Sequence, residues 1–233
     1  MPTTHHPHTH PHPHLISVIG NSPGVGKSTL CRSLATWLTE TGATVEHFAE
    51  ADILTHPAFR PVAEEFATAP HTVRPETLIA ATRTYVTDAR AAGTDFLVTD
   101  ALLPFIPSLV AWGHDEPALT RFLQDLVTAL HPTEVTVVYV QDDPAAALRR
   151  AIDREGPAWE DWYLTKLANS PGTSTVHDLD SAAAHLRTET ALTHRLLATT
   201  PWNLLPLHTT TRTAPQTFTH TRTHLSKLLN LAP

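Results

Sequence analysis

The sequence predicts an α/β protein in which buried strands alternate with amphipathic helices. Three observations carry that expectation. An apolar run over 15–19 enters a glycine-bearing loop and leaves it in a helical pattern. Further apolar runs follow at Val45–Phe48, Phe96–Thr99, 135–140 and 202–207, and helix-period segments lie between them. The chain has 233 residues and is 41% hydrophobic, which suits one domain with a substantial core.

Residues 1–14 are almost wholly His, Pro and Thr, and carry six of the 17 histidines. Proline interrupts regular hydrogen bonding, so this tail is expected to be disordered or locally extended, with only adventitious affinity for divalent ions. The domain proper is expected over 15–233. Its first strand leads into Asn21-Ser22-Pro23-Gly24-Val25-Gly26-Lys27-Ser28-Thr29, and a helix follows over 27–41. Leu30, Leu34, Trp37 and Leu38 give that helix one apolar face, and Gly42 suits its C-terminus.

Strand, glycine loop, Gly-Lys-Ser-Thr and helix together form the Walker A layout. Gly24 and Gly26 leave backbone N–H groups free to wrap phosphate oxygens, and the helix N-terminus adds partial positive charge. In that layout Pro23, Gly24, Val25, Gly26, Lys27, Ser28 and Thr29 bind ATP. Lys27 reaches the β- and γ-phosphates, and the Ser28 hydroxyl ligates Mg²⁺. The pattern calls for a glycine where Asn21 stands; asparagine tolerates a left-handed backbone, so the turn is expected to survive.

Strand two, Val45–Phe48, runs into Glu50 and Asp52. Carboxylates just past a strand's carboxyl end lie where open α/β sheets bind ligands. Either is a candidate for orienting an acceptor hydroxyl, and one of the two is expected to be a solvated or capping residue. A short helix in a lid-like segment is expected over 56–69, then an amphipathic helix over 75–92. Phe96–Thr99 ends at Asp100, the Walker B layout for a metal-holding carboxylate. Ala101 follows, where a hydrolytic ATPase would carry Glu. Residues 101–115 are apolar and irregular, fit either for an acceptor pocket or for packing.

A helix over 117–130 precedes the strand at 135–140. Next come Asp142-Asp143-Pro144 and a helix over 145–154 that carries Arg150 and Arg154. Four residues apart, these arginines share a face. They either converge on the transferring phosphate or form a solvated surface paired to Asp153 and Glu155. Residues 149–167, with Gly156, Trp159, Trp162 and Tyr163, suit a lid and its anchor. A loop over 169–175, a helix over 182–199, the last strand and a helix over 214–231 complete the chain.

Net charge is −7, which argues against a nucleic-acid-binding surface. The sole cysteine, Cys31, excludes an intrachain disulfide and reads as packing. No run is long and apolar enough for a membrane span, and no signal core opens the chain, so a cytoplasmic setting is expected. A homodimer is left open.

Four stretches resemble the nucleoside and nucleotide kinase branch of P-loop kinases, near thymidylate kinase and the deoxynucleoside kinases. They are Gly24–Thr29, Phe48-Ala49-Glu50, Leu97–Asp100, and Val138–Val140 through Arg149-Arg150, Arg154, Glu160 and 163–167. The resemblance implies the P-loop NTPase fold, a five-stranded parallel sheet flanked by helices with a helical lid. It implies a cleft at the strand carboxyl ends and ATP-dependent phosphorylation of a small hydroxylated acceptor. Two family features are missing: Ala51 replaces the proline after Glu50, and Ala101-Leu102 replaces an acidic-arginine pair that contacts substrate. The alternatives from the residues alone are an ATPase switch acting on a protein partner, or a nucleotide-binding protein without catalysis.

Overall fold

The computed structural model describes residues 12–101 and 105–231. Five strands, β1 (His14–Gly20), β2 (Val45–Phe48), β3 (Phe96–Thr99), β4 (Glu134–Gln141) and β5 (Asn203–His208), form one sheet in the order β2-β3-β1-β4-β5. Every neighbouring pair is parallel. The helices are α1 (Lys27–Glu40), α2 (Arg60–Thr68), α3 (Pro75–Ala91), α4 (Ile106–Ala111), α5 (Glu116–Leu130), α6 (Pro144–Glu155), α7 (Pro157–Ala168), α8 (Leu179–Leu197) and α9 (Ala214–Leu228). The expected α/β class and all five strands are present.

Parallel strands need helical crossovers, and these cover both faces of the sheet. Alternation along β1 shows this directly. Leu15 and Ile19 join one core cluster with Leu97, Val137 and Tyr139 of the sheet and Leu78, Tyr85, Phe122, Leu126 and Leu196 of α3, α5 and α8. Ile16 and Val18 face the other way, with Val98, Val138 and Val140, onto Leu34 and Leu38 of α1 and Leu225 of α9. The central strand is therefore apolar at nearly every position, and that is why its run stands out in the sequence.

Side chains set several helix starts. Asp115, Asp143, Asp178 and Thr213 accept N–H bonds at the starts of α5, α6, α8 and α9. No side chain caps α1, which begins after Gly26. No cap side chain therefore occupies its first N–H groups.

The structure corrects two expectations. His14 is not part of a loose tail: it opens β1, is buried, and its Nε2 lies 2.8 Å from the Thr136 hydroxyl. Residues 1–11 of that tail lie outside the described residues. The segment 56–69 is not a free flap. It forms a tight turn at Pro57–Phe59 and then α2, and Ala58, Phe59 and Val62 are buried in the main core. The loop expected over 169–175 is present and includes a turn at Pro171–Thr173, where a Cβ on Gly172 would lie 1.8 Å from the Val110 carbonyl oxygen.

Residues 149–167 span the second half of α6 and most of α7, which join at Gly156 with φ 91°. Tyr163 and Leu167 of α7 pack with Leu148 of α6 and Ala182, Ala183 and Leu186 of α8. This pair of helices is anchored by its own apolar cluster. Among the described residues, no helix is long and apolar enough to cross a membrane.

Candidate functional site

The carboxyl ends of β1, β2 and β3 are adjacent in the sheet. That adjacency brings together the loop at 21–26, Glu50 and Asp100, which are far apart in the chain. Gly24 and Gly26 have φ of 85° and 90°, the left-handed backbone that glycine adopts without strain. Gly24 is required for a second reason: a Cβ there would lie 2.2 Å from the Ala147 carbonyl oxygen. The loop thus rests directly on the backbone of α6.

Lys27 starts α1 and points toward β2 and β3. Its Nζ contacts the Glu50 carboxylate, donates to the Asp100 main-chain oxygen at 3.1 Å, and lies 4.0 Å from Asp100 Oδ2. The buried Asp100 carboxylate accepts the Glu50 N–H at 2.7 Å through Oδ1. Oδ1 is thereby held, and Oδ2 faces the lysine. Thr99 stabilises the strand end, donating to the Phe48 carbonyl oxygen and accepting from the Ala101 N–H. Ser28 and Thr29 occupy the first turn of α1 and are exposed.

The two carboxylates after β2 differ. Glu50 meets Lys27, whereas Asp52 is exposed and its bonds are made by its main chain: its N–H donates to the Ala49 carbonyl oxygen, and its carbonyl oxygen accepts from Thr55 and His56. The two arginines of α6 differ as well. Arg150 donates to Asp142 at 2.5 Å and lines the cleft described below. Arg154 pairs with its neighbour Glu155 at 2.7 Å and does not line that cleft. Convergence of both arginines on one phosphate is therefore not seen; Arg154 follows the solvated alternative.

Asn21 is also corrected. Among the described residues only Phe105 and Asn230 combine a side chain with positive φ, so Asn21 is not a left-handed turn residue. It is 5% exposed. Its amide donates from Nδ2 to the Asp142 carbonyl oxygen at 3.0 Å and accepts the Asp142 N–H on Oδ1 at 3.2 Å. Asn21 N–H also donates to the Val140 carbonyl oxygen at 3.1 Å. The side chain extends the β1–β4 pairing by one step.

A cleft of about 780 Å³ opens beside the loop. Gly24, Gly26, Thr29, Asp142 and Arg150 line it, as do Thr210 and Phe218 from the β5–α9 end. It therefore reaches from the loop after β1 to the loop after β5, two strands and about 10 Å across the sheet. Asp142 lies on this wall. Burial alone would raise its pKa, but bonds from the Thr210 hydroxyl, the Asp143 N–H and Arg150 hold it below the ordinary carboxylate value. Cys31 lies behind the loop, and burial, reinforced by the Asp100 charge, pushes its thiol up to about 12. It is an inert packing residue, as its position suggested.

Sequence reasoning missed Asn21's pairing, Asp142 and the Thr210–Phe218 end of the cleft. Asp142 sat beside a legible helix start at Asp143-Pro144, but nothing local marked its partners.

No group of three or more His, Cys, Asp or Glu side chains able to hold a metal occurs among the described residues. The Mg²⁺ that the Walker A pattern implies would use few protein ligands and complete its shell with phosphate and water. The Ser28 hydroxyl and the Asp100 carboxylate, with Oδ2 turned to the loop, are the donors that fit it. No family model matches the chain, and no curated protein matches it significantly.

Proposed function

We propose that the protein is an ATP-dependent phosphotransferase with the P-loop NTPase fold, acting on a hydroxyl of a small-molecule acceptor. The observation that carries this reading is Lys27, set at the end of a two-glycine loop between Glu50 and the buried Asp100. The strand order β2-β3-β1-β4-β5 supports it, since the loop follows the central strand and the two carboxylates follow the two strands on one side of it.

In this reading, backbone N–H groups of Gly24–Thr29 and the uncapped α1 N-terminus cradle the triphosphate. The rest of the nucleotide lies along the cleft toward Thr210 and Phe218, whose volume falls within the ordinary range for small-ligand pockets. Ser28 and Asp100 would hold Mg²⁺, which when bound neutralises charge on the phosphate oxygens. Lys27 turns from Glu50 to the phosphates and shields the charge that builds in transfer. Glu50, released, orients the acceptor hydroxyl and takes its proton. The acceptor oxygen bonds to the γ-phosphorus, the bond to the β-phosphate oxygen breaks, and ADP leaves. Arg150 lines the nucleotide side, and its partner Asp142 fixes it there.

Ala101, where a water-activating glutamate would stand, favours transfer over hydrolysis. The reading carries a cytoplasmic setting, where ATP is available. It is tested by screening hydroxylated acceptors for ADP release in the presence of Mg²⁺, against an acceptor-free blank and the Lys27→Ala variant. Acceptor-dependent release that vanishes in the variant supports it. Release that Lys27→Ala leaves near the wild-type rate contradicts it.

A further inference from the structure

We infer that Asn21 is a positioning residue for the nucleotide-side wall of the cleft, acting through Asp142 on Arg150 and Thr210. The inference rests on the nucleotide reading above and adds to it a residue that no phosphate-loop role requires.

Asn21 occupies the position where the loop pattern asks for glycine, yet its backbone needs no glycine. Its side chain is spent wholly on Asp142: one bond to the carbonyl oxygen at 3.0 Å and one from the N–H at 3.2 Å. Paired this way, an amide fixes both the position and the tilt of the peptide it meets. Asp142 is the first residue past β4, where the strand ladder no longer constrains the chain. With its backbone held, its carboxylate is aimed. One oxygen, Oδ2, receives Arg150 at 2.5 Å; the other, Oδ1, receives the Thr210 hydroxyl at 2.9 Å and the Asp143 N–H at 2.8 Å.

Arg150 and Thr210 come from α6 and the β5–α9 loop, and both line the cleft. Among the described residues, Asp142 is the group bonded to both. Without the Asn21 clamp its backbone is free to turn, and the two side chains lose their common anchor. Gly24 is seated on the Ala147 carbonyl of α6, and neither the Asn21 amide nor the Asp142 carboxylate comes closer than that to a Cβ placed there. Asn21 therefore governs the part of the ligand beyond the phosphates.

The test compares two probes, Mg·ATP and Mg·tripolyphosphate, by calorimetric titration of the full chain. Tripolyphosphate offers the phosphates without base or ribose. Asn21→Gly removes the clamp and restores the glycine of the loop pattern. It is expected to weaken ATP about tenfold, the effect of losing roughly one net hydrogen bond or more. Tripolyphosphate is expected to change by less than about twofold. Arg150→Ala should weaken ATP in the wild-type background and much less in Asn21→Gly, since the two act in series.

Asn21→Asp supplies a second variant of nearly unchanged size. It keeps the acceptor for the Asp142 N–H and sets an oxygen against the Asp142 carbonyl, so it should also lose ATP selectively. Equal losses for both probes would place the effect in the phosphate loop and overturn the inference, as would unchanged ATP binding in both variants. A wild-type protein that binds neither probe overturns the nucleotide reading itself, and this inference with it.

Discussion

The two sides of the phosphate loop are built on different principles. Toward β4 the contacts are short-range and directional: Gly24 against the Ala147 carbonyl, the Asn21 amide against the Asp142 backbone, and Asp142 against Arg150 and Thr210. Toward β2 the contacts are ionic, and they end on side chains that can turn. Lys27 reaches the Glu50 carboxylate, whose side chain is 67% exposed, and only Asp100 is deeply buried there. A fixed wall suits recognition of a ligand that stays in one place. A lysine held by charge suits a site in which it must change partners when phosphate arrives. Under the phosphotransferase reading, the difference would let one site grip a nucleotide on one side and rearrange around the transferred group on the other.

The ionic side is broken most severely at Glu50. Glu50→Gln keeps the shape and removes the proton acceptor, so transfer should fall about 10²–10⁴-fold. ATP should bind at least as tightly, because Lys27 loses its competing carboxylate. Steady-state transfer rates and calorimetric ATP titration check the two halves. A variant with full transfer would remove Glu50 from the chemistry.

Next comes the fixed side. Gly24→Ala places a methyl group 2.2 Å from the Ala147 carbonyl oxygen on a backbone with φ 85°. Displacement of α6 or of the loop should lower unfolding free energy by about 1–3 kcal/mol and weaken ATP as well. Denaturant titration with and without Mg·ATP reads both effects.

Smaller effects mark the limits of each side. Asp52→Asn and Arg154→Ala should each leave transfer within about twofold of wild type, as ordinary surface substitutions do. Asp52 is exposed outside the Lys27 contacts, and Arg154 is occupied by Glu155. A loss of more than tenfold at either position would move the boundary of the site.

The smallest effect lies beyond β2, where Arg74 and the Thr77 hydroxyl bond Glu65 and hold its pKa down to about 2. A carboxylate with a lowered folded-state pKa stabilises the protein above its ordinary value and loses that contribution as pH falls through the folded one. The wild type should therefore melt slightly above Glu65→Gln at neutral pH, with the gap closing between about pH 4 and pH 2. A gap that persists at pH 2 would show a cause other than the charge.

Much of the frame was legible because its signals are local. The central strands read as apolar runs since both of their faces are covered, and β2 and β3 have the bounds that their apolar residues suggest. Lys27 was legible because glycines, lysine and hydroxyls are contiguous there. The cleft's fixed wall was not. Asn21 and Asp142 lie 121 positions apart, and their bonds run to backbone, which any residue supplies. Spacing put Arg150 and Arg154 on one face, but it does not report that Asp142 waits at one end of α6 and Glu155 at the other. The anchoring of α7 was hidden for a similar reason. Its aromatic residues suggested a lid and its anchor, but only the placement of α8 shows what Tyr163 and Leu167 pack against.

In the proposed function, transfer from ATP depends on the charge of Lys27. The direct measurement follows the label of γ-³²P-ATP in the presence of Mg²⁺ and hydroxylated acceptors, with wild type and Lys27→Ala in parallel. The prediction is label covalently on an acceptor, ADP formed in equal amount, and a loss of about a hundredfold or more in the variant. Label released only as inorganic phosphate, at a rate indifferent to every acceptor, would contradict transfer. It would point instead to an ATPase that answers to a protein partner.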